Sequence, residues 1–488
     1  MKLEEIIKRC AVTSVSGNTA IEIDAITNDS RKVAPGSLFV AVSGCGNDGR
    51  QYIKAAIEAG AAAVILEEGD PAEKEYLSAF HGTIVHVKDS RLAAAMAADA
   101  FYEHPSGKLN LVGITGTNGK TTTVTLLYNL FRSLGYECGL MSTIANYVGS
   151  VRLETANTTS DPITINALLD QMCKAGCEYC FMEVSSIGVD QKRVEGLEFK
   201  VGIFSNLTHD HLDYHGTFAE YLRCKQAFFD QLSKDAYAIT NTDDRNGRIM
   251  VQNTKAHIVT YGCRTAADHK CRIIEEGFDG MLLNIDGKEV WTRLVGAHNA
   301  YNLLALYTTA VTLGAGAEET MIALSGLESA KGRLETIRGP KDLTVVIDYA
   351  HTPDALENVL KTLRDIGPER QLICLFGCGG DRDRTKRPEM GAVAEKYADR
   401  IILTSDNSRT ESTSEIIEEI KGGLTPTGLA KTLSISDRKE AIRTAIMLAD
   451  NGAVLLLAGK GHETYQIIGK EKRHFDEREI VEEAFKTL

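Results

Sequence analysis

The chain has 488 residues, with 43% hydrophobic and 25% charged side chains, a globular balance that excludes disorder and coiled coil. Its net charge of −13 argues against a nucleic-acid binder held by phosphate neutralisation. At roughly 150 residues per domain, the length calls for about three domains.

The opening MKLEEIIKRC lacks the apolar core of a secretory signal, and no apolar run approaches a membrane span, so a cytoplasmic location is expected. Ser37 to Val42 reads as a strand, Tyr52 to Glu58 as a helix, and Ala62 to Leu66 and Thr83 to Val87 as further strands. An Ala-rich helix follows from Arg91 to about Glu103, and His104-Pro105-Ser106-Gly107 punctuates the pattern. Residues 1–104 are therefore expected to form a small α/β domain.

A second domain, 105–331, opens with the strand Leu109 to Ile114, a Gly-rich loop and a helix from about Lys120 to Leu134. Val124, Leu127, Phe131 and Leu134 mark one face of that helix. Tyr179 to Val184 and Val201 to Phe204 are further strands. Alternating strands and helices imply a mostly parallel sheet. Ala256 to Val295 has short alternating runs with turns at Asp279-Gly280 and Asp286-Gly287, which predicts an antiparallel insertion. A third α/β domain, 332–488, uses the strands Leu343 to Ile347, Gln371 to Phe376, Arg400 to Thr404 and Ala453 to Ala458. The eleven cysteines read as reduced thiols, and Cys173, Cys177 and Cys180 as packing groups rather than a metal or redox site.

The strongest chemical signal is Gly113-Ile-Thr-Gly116-Thr117-Asn118-Gly119-Lys120-Thr121-Thr122, set between a strand and a helix. Such a loop can turn its backbone N–H groups around phosphate oxygens. Lys120 can reach the terminal phosphates of a nucleotide, and the Thr121 hydroxyl can hold Mg²⁺. Five residues separate Gly113 from Gly119 where the strict pattern has four, so this is a variant. Glu183 ends a strand, at the edge where open α/β sheets bind ligands, and is a candidate Mg²⁺ ligand. The segment His209 to His215 holds three His and two Asp within seven residues. Alone it could be a polar turn; beside a phosphate loop and an acidic strand end it reads as a metal site.

Thr115-Gly-Thr-Asn-Gly-Lys-Thr resembles the ATP loop of the Mur ligases, and the resemblance runs along essentially the whole chain. It implies an α/β fold of three domains: a small N-terminal domain for the UDP substrate, a central P-loop ATPase with a mostly parallel sheet, and a C-terminal Rossmann-like domain for the incoming amino acid. The implied reaction is ATP-dependent amide formation through an acyl phosphate. A diamino acid, expected to be meso-diaminopimelate, would join UDP-N-acetylmuramoyl-L-alanyl-D-glutamate in peptidoglycan synthesis. The same ligase acting on L-lysine, a divergent paralogue, a folylpolyglutamate-type ligase and a non-catalytic ATP-binding regulator are the alternatives. A monomer without nucleic-acid or membrane partners is expected.

The resemblance also implies site residues. His211 matches a second Mg²⁺ ligand beside Glu183, and Lys225 matches a lysine carboxylated by CO₂. A desolvated lysine has a lowered pKa, so its neutral amine can attack CO₂. Asn299, Asn302, Arg333 and Asp348 match nucleotide contacts. Ser30, Asn157, Thr158, Thr159, Ser185 and Arg193 match contacts to the UDP-muramoyl dipeptide. Charged loops after three strands of the third domain supply Arg387, then Asp406-Asn407-Ser408-Arg409, then Gly459 and Glu463. Arg387 and Arg409 are expected to hold a carboxylate and Glu463 an ammonium, which suits a diamino acid with a distal carboxylate. The chain departs from the family pattern at three positions: Ser408 and Ser160 stand where prolines are usual, and Ile187 where a histidine is.

Overall fold

The computed structural model describes residues 1–44, 48–69, 80–155, 157–208 and 212–486. These group into two compact units, Met1–Lys270 with Asn302–Ala323, and Cys271–Tyr301 with Leu324–Leu488.

The first unit holds two sheets. The smaller runs in the order Val12–Ser16, Thr83–Val87, Ala63–Glu67, Ser37–Val40, Ala25–Thr27, antiparallel only at its first pair. Its central strands are apolar and buried on both sides, as parallel strands covered by helices must be. In the larger sheet the strand Asn110–Thr115 lies between Tyr179–Glu183 and Phe199–Phe204, parallel to both. Cys138–Met141 continues one side, and Tyr237–Asn241 and His257–Gly262 the other. The chain crosses Asn110–Thr115 between its neighbours, a topological switch that opens a crevice at the strands' C-terminal ends.

The expected insertion is antiparallel only in part. His257–Gly262 pairs in parallel with Tyr237–Asn241, because the connection between them is long enough for the crossover a parallel pair needs. The antiparallel arrangement belongs to His269–Gly277, Gly280–Ile285 and Lys288–Thr292. Asp286 and Gly287 both take positive φ, +50° and +87°, as a two-residue hairpin turn demands.

The second unit is built on a sheet ordered Glu335–Arg338, Thr344–Asp348, Val454–Ala458, Leu372–Phe376, Arg400–Leu403, Thr432–Ser434. From Thr344–Asp348 onward every pair is parallel, so the strands' C-terminal ends share one edge. The strands are fully buried where they carry that edge. A separate hairpin, Tyr465–Ile468 with Glu471–His474, follows the last central strand.

Candidate active site

Gly113 lies inside the strand Asn110–Thr115, where a Cβ would come within 2.7 Å of Phe199. It is a packing glycine, which explains the extra residue in the loop spacing. The turn itself begins at Gly116, whose φ is +150° and whose Cβ would fall 2.0 Å from Ser205 Oγ. Gly119, at φ +87°, caps the helix Lys120–Ser133, and a Cβ there would meet Asn302 Oδ1 at 2.8 Å. Val124, Leu127 and Phe131 of the predicted apolar face are buried, while Leu134 lies just past the helix end and is half-buried. Lys120 arches over the loop, its Nζ donating to the carbonyls of Gly116 and Thr117 at 2.8 Å each. Asn206 accepts from the Thr117 N–H with its carbonyl and from the Asn118 N–H with its side chain.

Glu183 is 1% exposed at the end of its strand. Its carboxylate accepts from the Thr121 hydroxyl at 3.0 Å, and from the Thr143 N–H at 2.8 Å and hydroxyl at 3.1 Å. All of these donors are neutral. A carboxylate buried among neutral donors, at a helix N-terminus, suits a divalent cation as its counter-charge. His211, predicted to join it, lies outside the described residues.

Lys225 sits on the helix Phe218–Asp230, 1% exposed, beneath the same loop. Its Nζ donates to Gly116 O at 2.8 Å and lies 4.8 Å from the centre of the Tyr221 ring. The tyrosine hydroxyl in turn meets Thr117 Oγ1 at 3.0 Å. The lysine is thus a buried group at the phosphate loop, not a solvated surface residue.

A cavity of about 800 Å³ in the same unit is lined by Ser30, Asn157 and Arg193 among the predicted residues, and by Arg91 and Gln191, which the sequence reading missed. Arg193 donates to Thr159 O and, from Nε at 3.1 Å, to Gln191 Oε1; burial lowers its pKa. Thr159 donates from its hydroxyl to Glu183 O at 2.9 Å, and Thr158 Oγ1 lies 3.1 Å from Thr143 Oγ1, which has given its own proton to Glu183. A hydrogen-bonded path therefore joins the cavity to Glu183 and the loop. Ser185 uses its hydroxyl to cap the short helix Ser186–Asp190, and Ile187 is half-buried on that helix. Ser186 Oγ pairs with His215 Nε2 at 2.9 Å.

Asn302 accepts from the Thr123 hydroxyl at 3.4 Å, near the helix start. Asn299, in the second unit, donates to Val295 O at 2.8 Å. There too Asp348 accepts from the Leu334 and Ala350 N–H groups, and burial raises its pKa. The Arg333 guanidinium stacks 5.1 Å from the Tyr349 ring.

The predicted third-domain loops do meet. Asn407 Nδ2 donates to Glu463 Oε2 at 2.8 Å, and buried Lys460 donates to both, at 3.3 Å to Asn407 Oδ1 and 3.1 Å to Glu463. Arg409 has a left-handed φ of +49° and donates from Nη1 to Gly380 O at 2.7 Å. Gly459 allows the close approach of Asp406, whose Oδ2 would lie 2.8 Å from a Cβ. Ser408 is buried in this loop. Arg387 departs from expectation. It is fully buried and its guanidinium is matched to Glu411, Glu419 and Gly379 O. Two carboxylates already balance its charge, so it anchors the loop bearing Arg409 instead of supplying a cation for substrate.

Burial pushes the pKa of Cys177 and Cys180 up, as packing thiols require. Among the described residues one trio of His, Cys, Asp or Glu side chains, Asp190, Glu220 and Cys224, brings its ligating atoms within 4.8 Å of one another. No described helix is long and apolar enough to cross a membrane.

A phosphate loop, a buried acidic strand end and a second α/β unit with converging charged loops define a nucleotide-binding α/β protein with more than one ligand crevice. Family models match in three places: the Mur ligase family catalytic domain at 22–102, the Mur ligase middle domain at 114–310, and the Mur ligase glutamate ligase domain at 332–461. The chain is 49% identical over 488 residues to a UDP-N-acetylmuramoyl-L-alanyl-D-glutamate--2,6-diaminopimelate ligase of Cytophaga hutchinsonii, covering all of both chains. It is 50% identical to the protein of the same description from Phocaeicola vulgatus, covering 99% of each. A solved structure of a ligase so described superposes with a TM-score of 0.71 at 31% identity, covering 100% of this chain and 99% of that one. The chain belongs to the Mur ligase family, whose members form amide bonds at the expense of ATP.

Proposed function

We propose that this chain joins meso-diaminopimelate to UDP-N-acetylmuramoyl-L-alanyl-D-glutamate with hydrolysis of ATP, in peptidoglycan synthesis. The observation that carries the reading is the position of Glu183. Its carboxylate meets Thr121 at the phosphate loop, while its carbonyl meets Thr159 on the path to the cavity. A substrate in that cavity can present a carboxylate to the terminal phosphate.

The substrate carboxylate attacks the γ-phosphorus, ADP leaves, and an acyl phosphate forms. The diamino acid's neutral amine then attacks the acyl carbon, and phosphate leaves from the tetrahedral intermediate. Lys120 would offset charge on the transferring phosphoryl group. Thr121, Glu183 and His211 would hold Mg²⁺, which when bound neutralises phosphate oxygens and orients them. Lys225 would react with CO₂ to give a carbamate and a proton, placing an anion beneath the loop. Gly116, Thr117, Asn118, Gly119 and Thr122, with Asn299, Asn302, Arg333 and Asp348, would hold the nucleotide. Ser30, Asn157, Thr158, Thr159, Ser185 and Arg193 would hold the UDP substrate. Asp406, Asn407, Ser408, Arg409, Gly459 and Glu463 would hold the amino acid, with Arg387 behind them.

In this reading residues 1–104 form the UDP-substrate domain, 105–331 the ATP domain and 332–488 the amino-acid domain, in a monomeric cytoplasmic enzyme. Phosphate release should require ATP, Mg²⁺, the UDP-muramoyl dipeptide and the diamino acid together. Equal release with the dipeptide omitted would overturn the assignment.

A further inference from the structure

The loop Asp406 to Arg409 is held from outside by a segment that the proposed chemistry does not use. Gln466, 7% exposed on the hairpin strand Tyr465–Ile468, donates from Nε2 to Ser405 Oγ at 2.9 Å and to Asp406 O at 3.0 Å. The next residue, Ile467, donates its N–H to Asn407 Oδ1 at 2.9 Å and accepts from the Arg409 N–H at 3.2 Å. The Gly469 N–H closes the set on Arg409 O at 2.7 Å. Buried Arg438 also donates to Ser405 O at 3.1 Å and Ala458 O at 2.8 Å, the residues just before Asp406 and Gly459.

These contacts matter because Arg409 sits at φ +49°, a conformation a non-glycine residue keeps only when its surroundings impose it. Both its N–H and its C=O are spent on the hairpin. Hairpin pairing therefore fixes the Arg409 backbone, from which the guanidinium reaches Gly380 O.

We propose that the hairpin Tyr465–His474 is the specificity-determining element for the amino acid, with Gln466 as the positioning residue that fixes Asn407 and Arg409. Gln466 touches no substrate atom in this scheme. It acts through the backbone of Asp406, and its loss lets the Arg409 guanidinium leave the place where a distal carboxylate must dock. The inference rests on the diaminopimelate reading.

The test uses the full-length enzyme with Gln466→Met, which keeps the length of the side chain and removes both donors. Gln466→Asn, which keeps the amide but shortens its reach, is the second variant in case the first fails to fold. KM and kcat are measured for meso-diaminopimelate and L-lysine, with Tm as a control. We expect KM for diaminopimelate to rise about tenfold with kcat within about threefold, and the preference over lysine to fall by a similar factor. In an Arg409→Ala background the same substitution should change the preference less than about twofold, because Gln466 acts through Arg409. Unchanged preference in both variants, or an equal loss with and without Arg409, overturns the proposal. A wild-type enzyme with no preference for diaminopimelate would instead overturn the functional reading beneath it.

Discussion

Glu183→Gln separates the charge of the site from its shape. The carboxylate accepts three hydrogen bonds, one from Thr121 and two from Thr143. A glutamine oxygen keeps both bonds from Thr143, and its NH₂ donates to Thr121 Oγ1 once that hydroxyl rotates, so no partner is stranded. Loss of charge assistance costs about 1 kcal/mol per bond, about 3 kcal/mol in all. Burying a neutral amide in place of a 1%-exposed carboxylate returns several kcal/mol of desolvation. The two nearly cancel, so Tm should move by less than about 5 °C. Function should not survive. Losing the anion proposed to hold a divalent cation at the phosphoryl group should cost about 3–4 kcal/mol, roughly a hundredfold to a thousandfold in kcat. The assay is phosphate release titrated with Mg²⁺, beside thermal unfolding. A folded variant with wild-type turnover and an unchanged Mg²⁺ requirement would refute the reasoning.

Lys225→Ala should abolish turnover and leave the fold intact, and short carboxylic acids in excess should partly restore it by replacing the charge of the proposed carbamate. Restoration by neutral amides of the same size would remove the carbamate from the mechanism. Lys120→Ala should slow phosphate release by a hundredfold or more, about 3 kcal/mol of transition-state stabilisation; wild-type rates would make the lysine structural only. Arg387 beside Glu411 holds that carboxyl at about 2, below its ordinary 4.5. Because the folded value is the lower one, the pair's contribution is complete above pH 4.5 and is lost as pH falls toward 2. Glu411→Gln should therefore flatten the decline of Tm with acid between those values; an unchanged slope would show the pair to be inert.

Much of the central site was legible because its signals are local. An apolar strand followed by Gly-Thr-Asn-Gly-Lys-Thr has few other readings, and a glutamate ending a buried strand has few roles besides ligand binding. Thr143 was not legible. Nothing in Ser142-Thr143-Ile144 marks it; it reaches Glu183 because Cys138–Met141 runs parallel to Tyr179–Glu183. Arg387 was read as available to substrate because its partners Glu411 and Glu419 lie 24 and 32 residues away. The strand His257–Gly262 was misjudged for a related reason, since its parallel partner sits across a crossover that alternation cannot reveal. The hairpin contacts to the loop Ser405 to Arg409 likewise join residues about sixty positions apart, beyond any spacing rule.

The central claim is tested most directly by supplying the enzyme with ATP, Mg²⁺ and the UDP-muramoyl dipeptide, then comparing kcat/KM for meso-diaminopimelate and L-lysine with product mass as the identifier. A site in which Arg409 is aimed at a distal carboxylate leaves that cation unpaired when lysine binds, which corresponds to roughly 3 kcal/mol and a preference of a hundredfold or more. The account predicts a diaminopimelate-containing tripeptide product at that preference. Equal efficiency with lysine would contradict the role of Arg409, and no amide product with either amino acid would contradict the proposed reaction.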